Sequence, residues 1–180
     1  MAGRTAVVAG SDDVLVRAVT SRLVEDGFAT SSAPGEALDV LVHVVGVPAQ
    51  APFVGSDPAA WYAAVTAALT PAFRAVRAAA PALRRSDAGR VVLVGAGWFP
   101  ADRTGSTAAA ATHGALVALT KTLARDLGPE GITVNQVVVD PATSPDPAAV
   151  ADAVAYLCGP EAGAVVGQLL TVGRGGPLRP

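Results

Sequence analysis

Short runs rich in valine and leucine alternate along this chain with longer segments of helical periodicity, and this alternation most limits the possible fold. The runs contain few polar residues, which is typical of strands buried on both faces of a parallel sheet. The intervening segments place apolar residues three or four positions apart, as helices that cover such a sheet do. The sequence therefore predicts an α/β fold, with about six parallel strands and helices on both faces. The predicted strands are 5–9, 28–32, 38–45, 91–94, 132–139 and 169–172, and the predicted helices are 14–25, 58–83, 107–127 and 147–157.

An aspartate followed by a proline marks the start of two of these helices. Asp57 precedes Pro58, and Asp146 precedes Pro147. Aspartate accepts hydrogen bonds from the first amides of a helix, and proline fits there because it needs no amide partner. Pro71 lies inside the second helical segment, where it removes a donor and crowds the preceding turn. We therefore expect a kink or a break in the helix at Pro71.

The composition indicates one compact domain over residues 1–180. Hydrophobic residues make up 51% and charged residues 16%, as in a layered core. The formal net charge of −2 gives no basic excess, which argues against nucleic acid or an anionic membrane surface as a partner. No apolar run approaches the ~18 residues of a membrane span. A single cysteine, Cys158, cannot form an internal disulfide, and we expect a cytoplasmic protein.

Four segments resemble the short-chain dehydrogenase/reductase family, in the family's order. They are 5–23 for the first strand, glycine loop and helix, 38–46 for the strand that ends in Asn-Asn-Ala-Gly, 61–135, and 150–172 for the last helix and strand. The resemblance implies a Rossmann-like, doubly wound parallel sheet. The stretch from Phe28 to Leu38 is too short for the family's third strand and its helix, so we expect that strand to be missing.

The glycine loop of the family departs from its pattern in this chain. Its glycines let the backbone approach the diphosphate of NAD(P) at a helix N-terminus. Here Val14 and Val16 stand at the second and third glycines, and Asp12 and Asp13 stand where the diphosphate would lie. We expect the carboxylates to cap the helix themselves, and we expect no cofactor to bind.

The catalytic residues that the resemblance implies are also replaced. The family's Tyr, Lys, Ser and Asn fall on Ala109, His113, Ala96 and Ala68, and Val139 and Asp140 replace the Pro-Gly that faces the nicotinamide. Alanine has no proton to exchange and no polar atom with which to position a substrate. The resemblance therefore predicts a family member that has lost NAD(P)-dependent redox activity.

One hypothesis is acid/base chemistry without redox. Both histidines, His43 and His113, fall on family positions that line the vacated cleft, and histidine titrates near neutral pH. We expect cyclisation, dehydration or isomerisation of a hydrophobic carbonyl compound. The candidate catalytic residues are His113, Asp140 and Asp102, and the candidate substrate-binding residues are His43, Trp98, Phe99 and Arg103. The competing interpretation makes the histidines structural and has Trp98 and Phe99 plug the cleft.

A second hypothesis is a non-catalytic subunit. It would form a homodimer or homotetramer through the alanine-rich helices at 58–84 and 104–127, or pair with an active paralogue of the same family. A third alternative is an atypical NAD(P)-dependent oxidoreductase that binds the nucleotide in a new pose. The sequence leaves these three open.

Overall fold

The computed structural model describes residues 3–97, 104–140 and 145–173. These form a six-stranded sheet in the order β2-β1-β3-β4-β5-β6, and all its neighbouring strands are parallel. The α/β fold and the number of strands expected from the sequence are confirmed. The strands are β1 (Thr5–Gly10), β2 (Ala29–Ser31), β3 (Val40–Val44), β4 (Arg90–Ala96), β5 (Thr133–Val139) and β6 (Leu169–Val172). The helices are α1 (Asp13–Glu25), α2 (Pro58–Leu83), α3 (Thr107–Leu127) and α4 (Pro147–Cys158).

Two apolar layers hold the helices against the sheet. On one face, Val19 and Leu23 of α1 and Val154 of α4 pack with the strands. On the other, α2 and α3 pack through residues such as Val76 and Leu116. Successive residues of a strand point to opposite faces, so a strand covered on both sides is apolar throughout. The near-continuous valine runs in the sequence have this origin.

The strand order reverses beside β1. The chain passes from β1 outwards to β2, the edge strand, and then returns to β3 on the other side of β1. In open parallel sheets of this kind, ligands bind beyond the carboxyl ends of the strands where the order reverses. The fold therefore directs attention to the segments that follow β1, β3 and β4.

The helix starts agree with the sequence-based prediction. Oδ1 of Asp57 accepts a hydrogen bond from the amide of Ala59 at 3.0 Å. Oδ1 of Asp146 accepts one from the amide of Ala148 at 2.9 Å. Of the kink or break expected at Pro71, the break is wrong, because α2 runs without interruption from Pro58 to Leu83. Its neighbour Ala72 is buried against the sheet while Pro71 is exposed. Packing of the apolar face thus outweighs the hydrogen bond that proline removes.

No helix in the described ranges combines the length and the apolar character needed to cross a bilayer.

Candidate functional site

Two adjoining cavities open at the carboxyl end of the sheet. The first has a volume of about 450 Å³ and lies between the ends of β3 and β4 and the helix α3. The second, of about 440 Å³, lies between the ends of β3, β4 and β5 and the first turns of α1 and α4. Their shared walls include Gly46, Gly95 and Ala96. The cleft implied by the fold is thus open in the part of the chain that the structure describes.

The first cavity contains three of the positions to which the family resemblance assigns catalysis. Ala96 at the end of β4, together with Ala109 and His113 on α3, forms part of its wall. The fourth position, Ala68, is buried in the layer between α2 and the sheet. The remaining wall is mainly apolar and includes Val45, Val47, Pro48, Ala49 and Leu116.

His113 is the sequence-predicted catalytic residue that the structure brings to the first cavity. Burial lowers the pKa of its imidazole from the usual 6.5, and a hydrogen bond with the backbone of Ala96 acts in the opposite direction with a smaller effect. Its Nδ1 atom is buried, and no group in the described ranges forms a hydrogen bond with it. A lowered pKa keeps the ring neutral near pH 7, so it is chemically able to accept a proton.

Asp140 lies at the second cavity. It follows β5, is 7% exposed, and its backbone amide donates to the carbonyl of Val172 at 3.0 Å. The two proposed partners in acid/base chemistry, His113 and Asp140, therefore lie on the walls of different cavities.

His43 lies elsewhere than the sequence suggests. It is the fourth residue of β3, is only 5% exposed, and belongs to the described walls of neither cavity. Its strand neighbours in register are Ala9 and Leu93. Neither ring nitrogen has a hydrogen-bond partner among the residues that the structure describes, and burial lowers the pKa of the ring. The structure thus makes His43 a core residue and does not bring it to the described wall of either cavity.

The other four candidates from the sequence are Trp98, Phe99, Asp102 and Arg103. They lie outside the described residues. Within the described ranges, no group of three or more His, Cys, Asp or Glu side chains is arranged to hold a metal ion.

The start of α1 is closed by the chain's own carboxylate. Oδ1 of Asp12 accepts hydrogen bonds from the amides of Val14 and Leu15, both at 3.0 Å. Asp13 lies in the first turn of the helix. Asp12 and Val14 also form part of the wall of the second cavity. The expectation that a carboxylate caps this helix is therefore confirmed for Asp12.

Three polar residues of the first cavity escaped the sequence analysis. They are Gln50 on the loop after β3, and Ser106 and Thr112 on or beside α3. The helical spacing of Ser106, Ala109 and His113 would have indicated a common face. Gln50 had no such signal, because a loop has no periodicity.

The sequence of this chain is similar to those of known reductases and dehydrogenases. Residues 9–145 match the family described as enoyl-(acyl carrier protein) reductase. The chain is 26% identical over 162 residues to the 3-oxoacyl-(acyl-carrier-protein) reductase FabG of Vibrio harveyi, covering 77% of this chain. It spans 66% of the length of that reductase. It is 31% identical over 193 residues to the (2S)-((R)-hydroxy(phenyl)methyl)succinyl-CoA dehydrogenase subunit BbsC of Thauera aromatica, covering 96% of this chain and 75% of that protein.

Solved structures show the same fold. A dehydrogenase/reductase from Sinorhizobium meliloti superimposes with a TM-score of 0.82 at 26% identity, covering 96% of this chain and 94% of the other. A short-chain dehydrogenase/reductase from Serratia marcescens superimposes with a TM-score of 0.81 at 25% identity, covering 94% of this chain and 95% of the other. The chain therefore belongs to the short-chain dehydrogenase/reductase family.

Proposed function

We propose that this chain is a subunit of a dehydrogenase/reductase assembly that binds a small, largely apolar molecule but carries no nicotinamide cofactor of its own. The observation that carries this proposal is the pair of hydrogen bonds from Val14 and Leu15 to the carboxylate of Asp12. Those amides are the donors with which a helix N-terminus binds a phosphate.

A dinucleotide does not fit the residues at this loop. Because Asp12 already satisfies the first amides of α1, a diphosphate would have to displace it, and the displaced carboxylate would still repel the phosphates. The side chain of Val14 stands on the wall of the second cavity, where the family has a glycine that lets the backbone approach the ligand. The side chain of Val14 and the charge of Asp12 thus both oppose binding of a dinucleotide.

The walls of the first cavity support the same conclusion. Ala96 and Ala109 stand where the family resemblance places the serine and the tyrosine of hydride transfer. A methyl group neither donates a proton nor holds a substrate oxygen. The small alanine side chains leave the cavity open, and an open cavity with apolar walls suits a small ligand.

The role of a subunit is supported by a relative and by the surface. The Thauera aromatica relative is named as one subunit of a dehydrogenase. On α2, Tyr62 is 67% exposed and Phe73 is 51% exposed, and apolar side chains of this size are common in protein interfaces. The surface formed by residues 58–84 and 104–127 is the one through which we expect it to pair with a copy of itself or with an active family member.

The first experiment is calorimetric titration of the purified chain with NADH and with NADPH. We expect no heat of binding at millimolar cofactor, whereas micromolar binding of either nucleotide would overturn the cofactor-free proposal. When the chain is purified with a tag from its own host, a family member with an intact glycine loop should co-purify with it. Reconstitution of the two should change the dehydrogenase activity of that member, and unchanged activity would count against the subunit role.

A second candidate function rests on His113. Its neutral imidazole at the first cavity could take a proton from a carbon next to a carbonyl and return it at another atom, without redox. This function predicts turnover that is lost in His113→Asn while the unfolding temperature stays the same. A non-catalytic subunit predicts that partner activity is the same with either form.

A further inference from the structure

Thr112 differs from three other helical threonines of this chain. The hydroxyls of Thr20, Thr66 and Thr120 each donate to the carbonyl four residues earlier, at 2.7, 2.9 and 2.8 Å. Thr112 is only 5% exposed, yet no group of the described residues forms a hydrogen bond with its Oγ1 atom. A buried hydroxyl without a partner is unfavourable and usually has a specific reason.

The position of Thr112 supplies such a reason, because the residue forms part of the wall of the first cavity. Threonine in a helix adopts either of two χ1 rotamers, so its hydroxyl changes direction without movement of the backbone. A ligand atom in the cavity would provide the partner that the protein itself does not.

Gln50 and Ser106 form a second polar feature of the same cavity. Nε2 of Gln50 donates to Oγ of Ser106 at 3.3 Å, which joins the loop after β3 to the start of α3. Ser106 occupies the position before α3 but makes no side-chain cap to the helix. No hydrogen bond between described residues uses the hydroxyl hydrogen of Ser106 or the side-chain oxygen of Gln50. As far as the described residues go, the pair therefore has both a donor and an acceptor left for a ligand.

The wall of the first cavity carries no formal charge in the described ranges. Its fourteen described residues include no Asp, Glu, Lys or Arg. Burial disfavours the protonated form of His113. A charged ligand would lose hydration in this cavity and gain no opposite charge from these fourteen described residues, which is costly.

We propose that the first cavity selects an uncharged ligand with an apolar body and a carbonyl or hydroxyl group, which Thr112 and the Gln50–Ser106 pair hold by hydrogen bonds. This inference rests on the ligand-binding part of the proposed function. It adds which residues recognise the ligand and which chemical class they accept.

The test compares three probes with the same ring system, 2-acetylnaphthalene, 2-naphthoate and 2-naphthylmethylamine, by calorimetric titration of the purified chain at pH 7.5. We expect the ketone to bind at least about tenfold more tightly than either ion. Thr112→Val and Gln50→Ala should each weaken ketone binding by about two- to tenfold, which is what the loss of one hydrogen bond gives.

Two matched variants act as controls. Thr120→Val changes a buried threonine of the same helix whose hydroxyl is already bonded, and Gln168→Ala changes an exposed glutamine directly before the edge strand β6, outside the described wall of the cavity. Both should bind the ketone as the unchanged chain does. Melting curves of all four variants show whether each is folded, and the affinities are compared among folded variants.

Failure has a distinct signature. Equal or tighter binding of either ion, no binding of the ketone, or unchanged ketone affinity in both Thr112→Val and Gln50→Ala would overturn the inference. None of these outcomes bears on the titration with NADH and NADPH. Conversely, tight nucleotide binding would overturn the cofactor-free proposal and leave the selectivity of the first cavity as measured.

Discussion

The backbone amide of Val14 donates to Oδ1 of Asp12 over 3.0 Å, and both residues form part of the wall of the second cavity. In the family to which the chain belongs, the same place has glycines and receives a phosphate. Here Asp12 accepts hydrogen bonds from two amides of the helix, and Val14 stands at a position of a family glycine. The predictions below begin with this pair.

Asp12→Ala should lower the free energy of unfolding by about 0.5–2 kcal/mol, because it removes the acceptor for two amides of the helix. Asp12→Asn should keep most of the stability, since asparagine caps as well as aspartate without the charge. Urea denaturation of the three proteins at pH 7 measures both effects. Equal stability of Asp12→Ala and the unchanged chain would contradict the role of the cap.

Gly10→Ala should destabilise the chain by about 3 kcal/mol or more. A Cβ atom there would lie 2.3 Å from the carbonyl oxygen of Val44 and 2.6 Å from its Cβ, so one of the two adjacent strands must move. Gly27→Ala is the matched control, because Gly27 also has a positive φ, +86°, but a Cβ there meets nothing within 4 Å. The control should cost only about 1–2 kcal/mol. Thermal unfolding of both variants gives the comparison, and equal losses would show that the contact with Val44 does not matter.

His43→Leu should stabilise the chain at acidic pH. Burial lowers the pKa of His43 below that of the unfolded chain, about 6.5. The unfolded state therefore binds the proton more readily, and stability is full above pH 6.5 and falls as the pH drops below it. The variant should lose less stability between pH 7 and pH 5, and it also removes two buried nitrogens without partners. Denaturation curves at both pH values test this. A steeper loss in the variant would contradict it.

Asp39→Asn should destabilise the chain at neutral pH by about 1–3 kcal/mol. Burial raises the pKa of Asp39, but hydrogen bonds from Ser86, at 2.5 Å, and from Thr5, at 2.6 Å, outweigh it and leave the pKa below 3.8. A lowered pKa in the folded state means that this stability is present above pH 4 and is lost as the pH falls through the folded value. The difference between the variant and the unchanged chain should therefore shrink below pH 4. Asp87→Asn, at an exposed neighbouring position, should show no such change.

Local patterns predicted the elements of the fold well. The bounds of α2 and α3 agree with the sequence-based ranges, and the ends of the strands lie within two residues of those predicted. Apolar periodicity depends on neighbours along the chain, so it is readable without tertiary information. Pro71 is the exception, because whether a proline breaks a helix depends on how firmly the rest of the helix packs.

The sequence by itself determined the order of strands and helices, the family, and the carboxylate that caps α1. Only the tertiary structure decided which polar groups meet. His43 comes one residue before the end of a strand that is covered on both faces, so it is buried, whereas His113 reaches the first cavity from a helix. Gln50 meets Ser106 across 56 residues of sequence. Such contacts depend on the register of the sheet and the path of a loop, which no local pattern records.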